Sequence, residues 1–482
     1  MPAIRMRRDV LAPLQVLDQL KARLAEGIER LPLASSRAVG EDVGEDEGQG
    51  LVSLLLALPR VPSSLPQLTG AQFQFRHVQR DELRAGYGTA VEWHAAGTDR
   101  LRHLAASGRA LRAQWSRADP DETGFEAFAM LGFAASPEPA PMIEDHLPNA
   151  LLWVPEIGVR ASAGAAALVL SAPRPNTAEA LLERWSAALD ELVPFLYRPV
   201  EGPLMAAGLS HEFAEPDQSR WAALVDAALH AIDDGSLQKV VLSRRLDVAG
   251  SRRFDVDRLL GALSCLFPSC QVVNLRRHGS SFIAATPERL LSQQGRALEV
   301  DAIAGTADRN TDTAADAALG EALRASDKNL REHRFVIDAI RAALQSCCRD
   351  IQAPAEPQLM QLSNAQHLWS PIRACADTGV DVFDLAERLH PTPATNGQPR
   401  HGASVWLRRN EPFERGWYTG AAGTLEPDLS GELWVLLRCA RVCGNRAELY
   451  AGAGIVAGSD PATEWDETEA KLRAMLSALQ YA

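Results

Sequence analysis

Side chains able to do acid–base, metal or anion chemistry are sparse in this chain, and their spacing narrows what they could do. Glu464, Glu467 and Lys471 lie three and four residues apart, so on a helix their side chains share one face. Just before them, Ala451-Gly-Ala-Gly-Ile455 places Gly452 and Gly454 where backbone N–H groups can come close to a ligand. Two carboxylates beside such a backbone would suit a hard cation together with an anion. A solvated helix with an i,i+4 Glu–Lys pair accounts for the same residues without any ligand. Lys239 opens an apolar run, where it either snorkels at a strand edge or is desolvated enough to act as a base. Glu288 follows Thr286-Pro287 at a strand end. It is either a turn glutamate paired with Arg289 or a general acid kept protonated by burial. Arg438 lies inside an apolar strand and needs a counter-anion, which a substrate carboxylate would supply. Glu332 and His333, one turn after Lys328, have the pattern of surface residues. Seen singly, His367 and His390 read as core or turn histidines. Gly305-Thr306 and Gly420-Ala-Ala-Gly423 read as close backbone approaches or plain turns.

These residues need a frame. Residues 1–35 read as helical, 40–50 as a Gly-rich acidic loop, and 51–60 as a buried segment ended by Pro59. Residues 150–173 read as two antiparallel strands joined near Pro155–Gly158, and 177–198 as an amphipathic helix. The Pro- and Gly-rich stretch 199–217 is the best domain boundary, which divides the chain into 1–204 and 205–482. After it, Trp221, Leu224, Val225, Ala228, Leu229 and Ile232 recur at helical spacing until Gly235. Strands are expected at 239–244, 280–293, 297–309 and 432–442, a long helix over about 313–348, and a turn at 366–372. The last helix should start at Pro461 with Ser459 or Asp460 as its cap. Many strands without βαβ alternation predict an α+β fold: a large layered, mainly antiparallel sheet core flanked by helices.

Composition sets the outer bounds. The chain has 482 residues, 46% hydrophobic and 23% charged, ample for a large core. A net charge of −13 without a basic cluster argues against a nucleic-acid partner. The seven cysteines show no CxxC pairing and read as buried free thiols of a reducing compartment. No apolar signal-peptide core and no membrane-length apolar run is visible, so a cytoplasmic protein without a membrane partner is expected.

Together the motifs resemble a known family. Lys239-Val-Val-Leu-Ser-Arg244, Thr286-Pro-Glu-Arg-Leu290, Ala304-Gly-Thr306 and Asp327-Lys328 with Glu332-His333 come first. Gln366-His-Leu368, His390-Pro-Thr-Pro-Ala394 with Gly397, and Arg415-Gly-Trp-Tyr418 with Gly420 follow. Leu437-Arg438 and Ala451-Gly-Ala-Gly-Ile455 with Glu464, Glu467 and Lys471 complete a series in the order found in chorismate-utilising enzymes. The resemblance covers about residues 205–480, and the first part of the chain would be the divergent portion that completes the fold.

The resemblance implies roles. Glu332 and Glu467 would be Mg²⁺ ligands, with Glu464 in or beside that shell. Arg438 and Tyr418 would hold the enolpyruvyl carboxylate of chorismate, helped by backbone N–H groups around Gly452 and Gly454. Lys239 would deprotonate a water attacking C2, and Glu288 would protonate the departing C4 hydroxyl. His367 would line the ring pocket near that hydroxyl. Gly305 and Thr306 would shape its wall, and Lys471 would orient the acidic shell. Ammonia-using relatives typically carry glutamine at the Lys239 position, so lysine implies water as nucleophile and no glutamine amidotransferase subunit. Ala394 stands where salicylate-forming members usually carry threonine. The implied activity is therefore Mg²⁺-dependent conversion of chorismate to isochorismate. Salicylate formation and a non-catalytic chorismate-binding homologue are the alternatives. The chain departs from the family at Asn329, where an acidic residue is usual, and at Asn396 and Ala284, where glycine is usual. Asn329 would weaken Mg²⁺ binding, and the Asn396 side chain could intrude on the pocket.

Overall fold

A computed structural model describes residues 13–33, 50–63, 65–68, 70–138, 147–174, 176–197, 206, 208–362 and 365–482. Residues 40–49 of the expected acidic loop and residues 1–12 and 34–35 of the expected N-terminal helix lie outside these residues; the described helix runs Pro13–Glu29. The fold is α+β, built on two large sheets packed face to face. The larger has 13 strands, the smaller 10, and among the described pairings only Leu51–Leu58 with Trp115–Ala118 is parallel. Each sheet joins a block of strands from before residue 204 to a block from after it, through Gln72–His77 with Gln271–Arg277 in the larger and Ala129–Phe133 with Ala421–Leu425 in the smaller. In the larger, Ser280–Thr286 and Gln271–Arg277 are followed by Gln72–His77 and Glu82–Tyr87.

Burial on both faces explains the composition of the strands. In Ala150–Val154, Leu151 and Trp153 point between the sheets, while Ala150, Leu152 and Val154 point to the helices outside, giving one continuous apolar run. Between the sheets Phe73 meets Trp153 edge-on at 4.9 Å. Outside the smaller sheet, the helices Arg100–Gln114, Asp327–Leu344 and Val382–Leu389 bury Leu104, Val336, Ile340 and Phe383. Outside the larger one, Val256–Leu266 and Pro461–Leu479 bury Leu259, Leu263, Leu472 and Met475.

Several expected elements are redrawn. The helix over 313–348 is two helices, Thr313–Ala325 and Asp327–Leu344, broken where Ser326 caps the second by accepting from the Asn329 N–H. The expected turn at 366–372 lies inside the strand Ala365–Ala376. Its Pro371 pairs with Asp301 in the register between that strand and Ala297–Asp308. The other differences share one cause. The chain changes sheet at Pro155-Glu156, at Pro287-Glu288 and at Leu436-Leu437-Arg438. So 150–173 is three strands, with its hairpin turn at Ala163-Gly164, and 280–293 and 432–442 are each two strands in different sheets. Both sheets are buried on their inner faces, so apolar patterning does not mark the crossing.

Candidate active site

Two adjacent strands form the floor of the site. Lys239–Gly250 pairs with Arg446–Ile455 from Val240↔Ile455 to Ala249↔Arg446. Alternation along the first turns Lys239, Val241 and Ser243 to one face. Val241 and Ser243 stand opposite Gly454 and Gly452. The Gly452 carbonyl accepts from Lys471 Nζ at 2.8 Å, so the Gly452 and Gly454 backbone groups point away from the lysine strand, beyond the end of Cys439–Cys443. Glycine is required here by close approach. A Cβ at Gly454 would stand 3.0 Å from Lys239 Cε and 3.1 Å from Glu332 Oε1. One at Gly452 would stand 2.8 Å from Tyr418 Oη.

Two helices and two sheet crossings supply much of the walls. The helix Asp327–Leu344 delivers Glu332, and Pro461–Leu479 delivers Glu467 and Lys471. The last helix starts as expected, with Pro461 in its first turn and Asp460 accepting from the Thr463 N–H at 2.9 Å. Glu288 and Arg438 sit at two of the sheet crossings, and these corners are tied together. The Val435 N–H donates to the Glu288 carbonyl at 3.0 Å, and the Ala285 N–H to the Arg438 carbonyl at 3.2 Å. Arg438 takes φ +47°, a left-handed conformation uncommon for arginine that turns its side chain into the pocket. The resulting cavity of about 110 Å³ is lined by Glu288, Gly305, Thr306, Glu332, His367, Ala394, Tyr418, Arg438, Gly452, Gly454, Glu467 and Lys471. Lys239 is 1% exposed and enters through Glu332, whose Oε1 accepts from its Nζ at 2.8 Å. The structure thus brings these expected residues to one place. Glu464 stays at the edge, buried, with Lys328 Nζ 3.2 Å from its Oε1.

The electrostatics are uneven. Burial pushes the Glu288 carboxyl up to about 8, helped by the nearby Asp301 charge and opposed by Lys239 and Lys471. Burial would also lift Glu332, but the charge and hydrogen bond of Lys239, with Lys471 and Lys328 behind it, outweigh that and hold Glu332 below the usual range. Glu464 is raised by burial and then by the Glu467 charge. His367 is pushed down to about 3 by burial and by Arg438, so it is neutral. A guanidinium can only donate, so the 3.0 Å contact from Arg438 Nη2 makes His367 Nε2 an acceptor. The proton is then on Nδ1, which donates to Thr306 Oγ1 at 3.1 Å. The other Arg438 contact is Cys270 Sγ at 3.7 Å. Among the described residues no carboxylate pairs with Arg438, leaving a half-buried cation aimed at the cavity.

Some side chains take places the pattern did not indicate. Glu332 and His333 are not surface residues. The Glu332 side chain is 16% exposed, and His333 is buried with Nε2 2.9 Å from Ser370 Oγ. Arg438 lies at a sheet crossing, not within a strand. The Asn396 side chain does not enter the pocket: Nδ2 donates to the Arg400 carbonyl at 2.9 Å and Oδ1 accepts from Ser404 at 3.1 Å. Asn329 turns back to donate to Ser326 Oγ at 2.9 Å. His390 is a core histidine, donating from Nε2 to the Thr419 carbonyl at 2.8 Å. The seven cysteines are free; four are buried, while Cys265 and Cys443 are exposed. Tyr450 and Thr395 also line the cavity and were not singled out. Period-two alternation with Gly452 and Gly454 was the available signal for Tyr450, and adjacency to Ala394 the signal for Thr395.

Known proteins resemble this chain. The family model described as "Chorismate binding enzyme" matches residues 44–480. The chain is 33% identical over 303 residues to isochorismate synthase MenF of Bacillus subtilis, covering 63% of each protein. It is 37% identical over 297 residues to the salicylate biosynthesis isochorismate synthase of Pseudomonas aeruginosa, covering 61% of each. The match thus spans 61–63% of the length of these curated relatives. Among solved structures, the menaquinone-specific isochorismate synthase MenF of Escherichia coli superposes with TM-score 0.76 at 27% identity, over 97% of this chain and 99% of that one. Anthranilate synthase component I of Streptococcus pneumoniae, at 18% identity and TM-score 0.65, shares the fold. No helix among the described residues is long and apolar enough to cross a membrane.

Proposed function

The chain belongs to the chorismate-binding enzyme family, and from that premise we propose that it is an isochorismate synthase. The observation that carries this reading is one pocket that brings together a glutamic acid raised to about 8, a glutamate that accepts from a buried lysine behind it, and an arginine with no carboxylate partner. Chorismate is a dicarboxylate on a hydroxylated cyclohexadiene. Arg438 and Tyr418 receive its enolpyruvyl carboxylate, with the outward-turned backbone of Gly452 and Gly454 beside them. Lys239, in its unprotonated form, takes a proton from the water that forms the new C2–O bond. The ring double bonds shift, the C4–O bond breaks, and Glu288 gives its proton to the departing hydroxyl, which leaves as water. One water enters and one leaves, so the reaction is an isomerisation. His367, neutral and held between Thr306 and Arg438, fixes the guanidinium's direction. Relatives named as isochorismate synthases support this product.

The donor set fits Mg²⁺. Glu332 and Glu467 are carboxylate oxygen donors lining one pocket, and Glu464 feels the Glu467 charge. Among the described residues no three His, Cys, Asp or Glu side chains are grouped to hold a metal, and each of these carboxylates is paired with a lysine. An ion held by Glu332 and Glu467 would have to complete its shell with water and substrate, as Mg²⁺ commonly does. When bound, Mg²⁺ would neutralise and orient the ring carboxylate; Glu332 and Glu467 would hold it, and Lys471 would keep Glu467 in place.

Purified protein incubated with chorismate and Mg²⁺ should form isochorismate, read as salicylate only when an isochorismate pyruvate-lyase is added. Chelation should stop the reaction and Mg²⁺ restore it. Absence of salicylate with lyase present overturns the reading. Salicylate without lyase moves it to salicylate synthase, and anthranilate on adding ammonia moves it to an ammonia-using enzyme, which would need an amidotransferase partner. Arg438→Met should raise KM for chorismate roughly 10–100-fold with a smaller change in kcat. An unchanged KM removes Arg438 from carboxylate binding.

A further inference from the structure

The strand that carries Lys239 has an edge that other strands only partly cover. Lys239 and Val240 pair with Gly397–Gln398, and Arg245 to Gly250 pair with Leu209–Glu215. Between them, Val241 and Ser243 turn their backbone groups away from the glycine strand, and no strand meets them. Leaving one such group buried and unpaired would cost about 1–3 kcal/mol. An ion pair and one loop carbonyl take the place of the missing strand. The Val241 N–H donates to the Asn396 carbonyl at 2.9 Å, and the Ser243 N–H to Glu411 Oε1 at 2.9 Å. The Val241 carbonyl accepts from Arg415 Nη2 at 2.6 Å.

Glu411 and Arg415 are joined twice, Nη2 to Oε1 at 2.6 Å and Nε to Oε2 at 2.7 Å, with side chains 6% and 10% exposed. The same guanidinium donates to the Thr395 carbonyl at 2.7 Å, reaches Thr419 Oγ1 at 3.5 Å, and lies 5.9 Å from the Tyr418 ring centre. One side chain therefore touches the lysine strand, the turn that presents Ala394, and the turn that presents Tyr418. Neither Arg415 nor Glu411 lines the active-site cavity.

The structure assigns to Arg415, with Glu411 as its partner, the positioning of the substrate-binding walls relative to Lys239. The assignment rests on reading this pocket as the chorismate site. Lysine could not replace arginine, because one ammonium cannot span two carboxylate oxygens and two carbonyls in a plane. Arg415 and Glu411 also line a second cavity of about 830 Å³, which meets the first at Thr395 and Thr419. Truncating Arg415 would therefore leave a hole that a small cation can reach from that cavity.

The test uses Arg415→Ala, Arg415→Lys and Glu411→Gln in the full chain, beside the wild type. Chorismate turnover by the wild type is measured first, because its absence overturns the functional reading independently of Arg415. Chorismate affinity by calorimetry then still reports on the positioning. Both Arg415 variants should raise KM and Kd for chorismate about tenfold or more and lower kcat. Guanidinium ion at about 50 mM should restore part of the Arg415→Ala loss, where sodium at equal concentration does not. Combining Arg415→Lys with Tyr418→Phe should give less than the product of the two single losses. Should Arg415→Ala fail to fold, Glu411→Gln keeps an oxygen for the Ser243 N–H and should show the same KM shift at smaller size. Folded variants with wild-type KM and Kd overturn the assignment. So does a loss that guanidinium does not relieve and that multiplies fully with Tyr418→Phe.

Discussion

Replacing Lys239 with alanine should lower kcat for chorismate about 10²–10⁴-fold, the usual contribution of a positioned general base. The lysine is buried, and Glu332 accepts its hydrogen bond at 2.8 Å. The other residues on its strand's pocket face, Val241 and Ser243, offer no base. The substitution also leaves Glu332 without its main partner. Loss of one member of a buried pair costs about 3 kcal/mol or more, so the melting temperature should fall with the rate. The sign with pH separates the two effects. Glu332 is held below its ordinary range in the folded protein, so the pair's stabilisation is present above the ordinary carboxylate pKa and lost as pH falls through the folded value. Thermal scans of wild type and Lys239→Ala should therefore differ most near neutrality and converge in acid. Turnover by Lys239→Ala at more than a tenth of the wild-type rate would place the base elsewhere.

The second large effect is at Glu288. Glu288→Gln should remove the proton donor and lower kcat about 10²–10⁴-fold, while raising stability at neutral pH. The carboxyl is pushed from 4.5 to about 8, first by burial and then by the Asp301 charge. Between those values the folded chain holds a proton that the unfolded chain has lost, so stability falls as pH rises through that window. Glutamine has no such titration, and its advantage should grow to a few kcal/mol by pH 8. The wild-type rate should decline above about pH 8 as the proton is lost, with no matching limb in the variant's residual rate. A wild-type profile flat well past that point, or a Glu288→Gln enzyme with normal kcat, removes Glu288 from the role of acid.

Local chemistry carried much of what could be read in advance. Asp460 and Pro461 start the last helix because a side-chain cap and a proline without an N–H suit a first turn. Glu467 and Lys471 pair at 2.6 Å because i,i+4 residues face each other on any helix. Gly235 ends the helix before the lysine strand with φ +81°. The list of site residues came from ordered motifs, and all of them except Lys239 and Glu464 line the cavity directly.

Pattern failed where the answer depended on which surfaces meet. Glu332-His333 looked solvated because helical periodicity gives a face but not what covers it; His333 is packed toward Ser370 and Glu332 toward Lys239. The runs 280–293 and 432–442 looked like single strands because each piece is buried in a sheet of its own, and hydrophobicity is the same on either side of the crossing. Glu288 and Arg438 stand at those crossings. The sequence by itself determined the cap of the last helix, the lysine strand and the pairing of neighbours on one helix, since each depends on residues a few positions apart. Only the tertiary structure decided that Lys239 and Glu332 pair, that Arg438 is left without a carboxylate, and that Glu288 keeps its proton. Those outcomes depend on burial and on charges brought from distant segments, which no local spacing encodes.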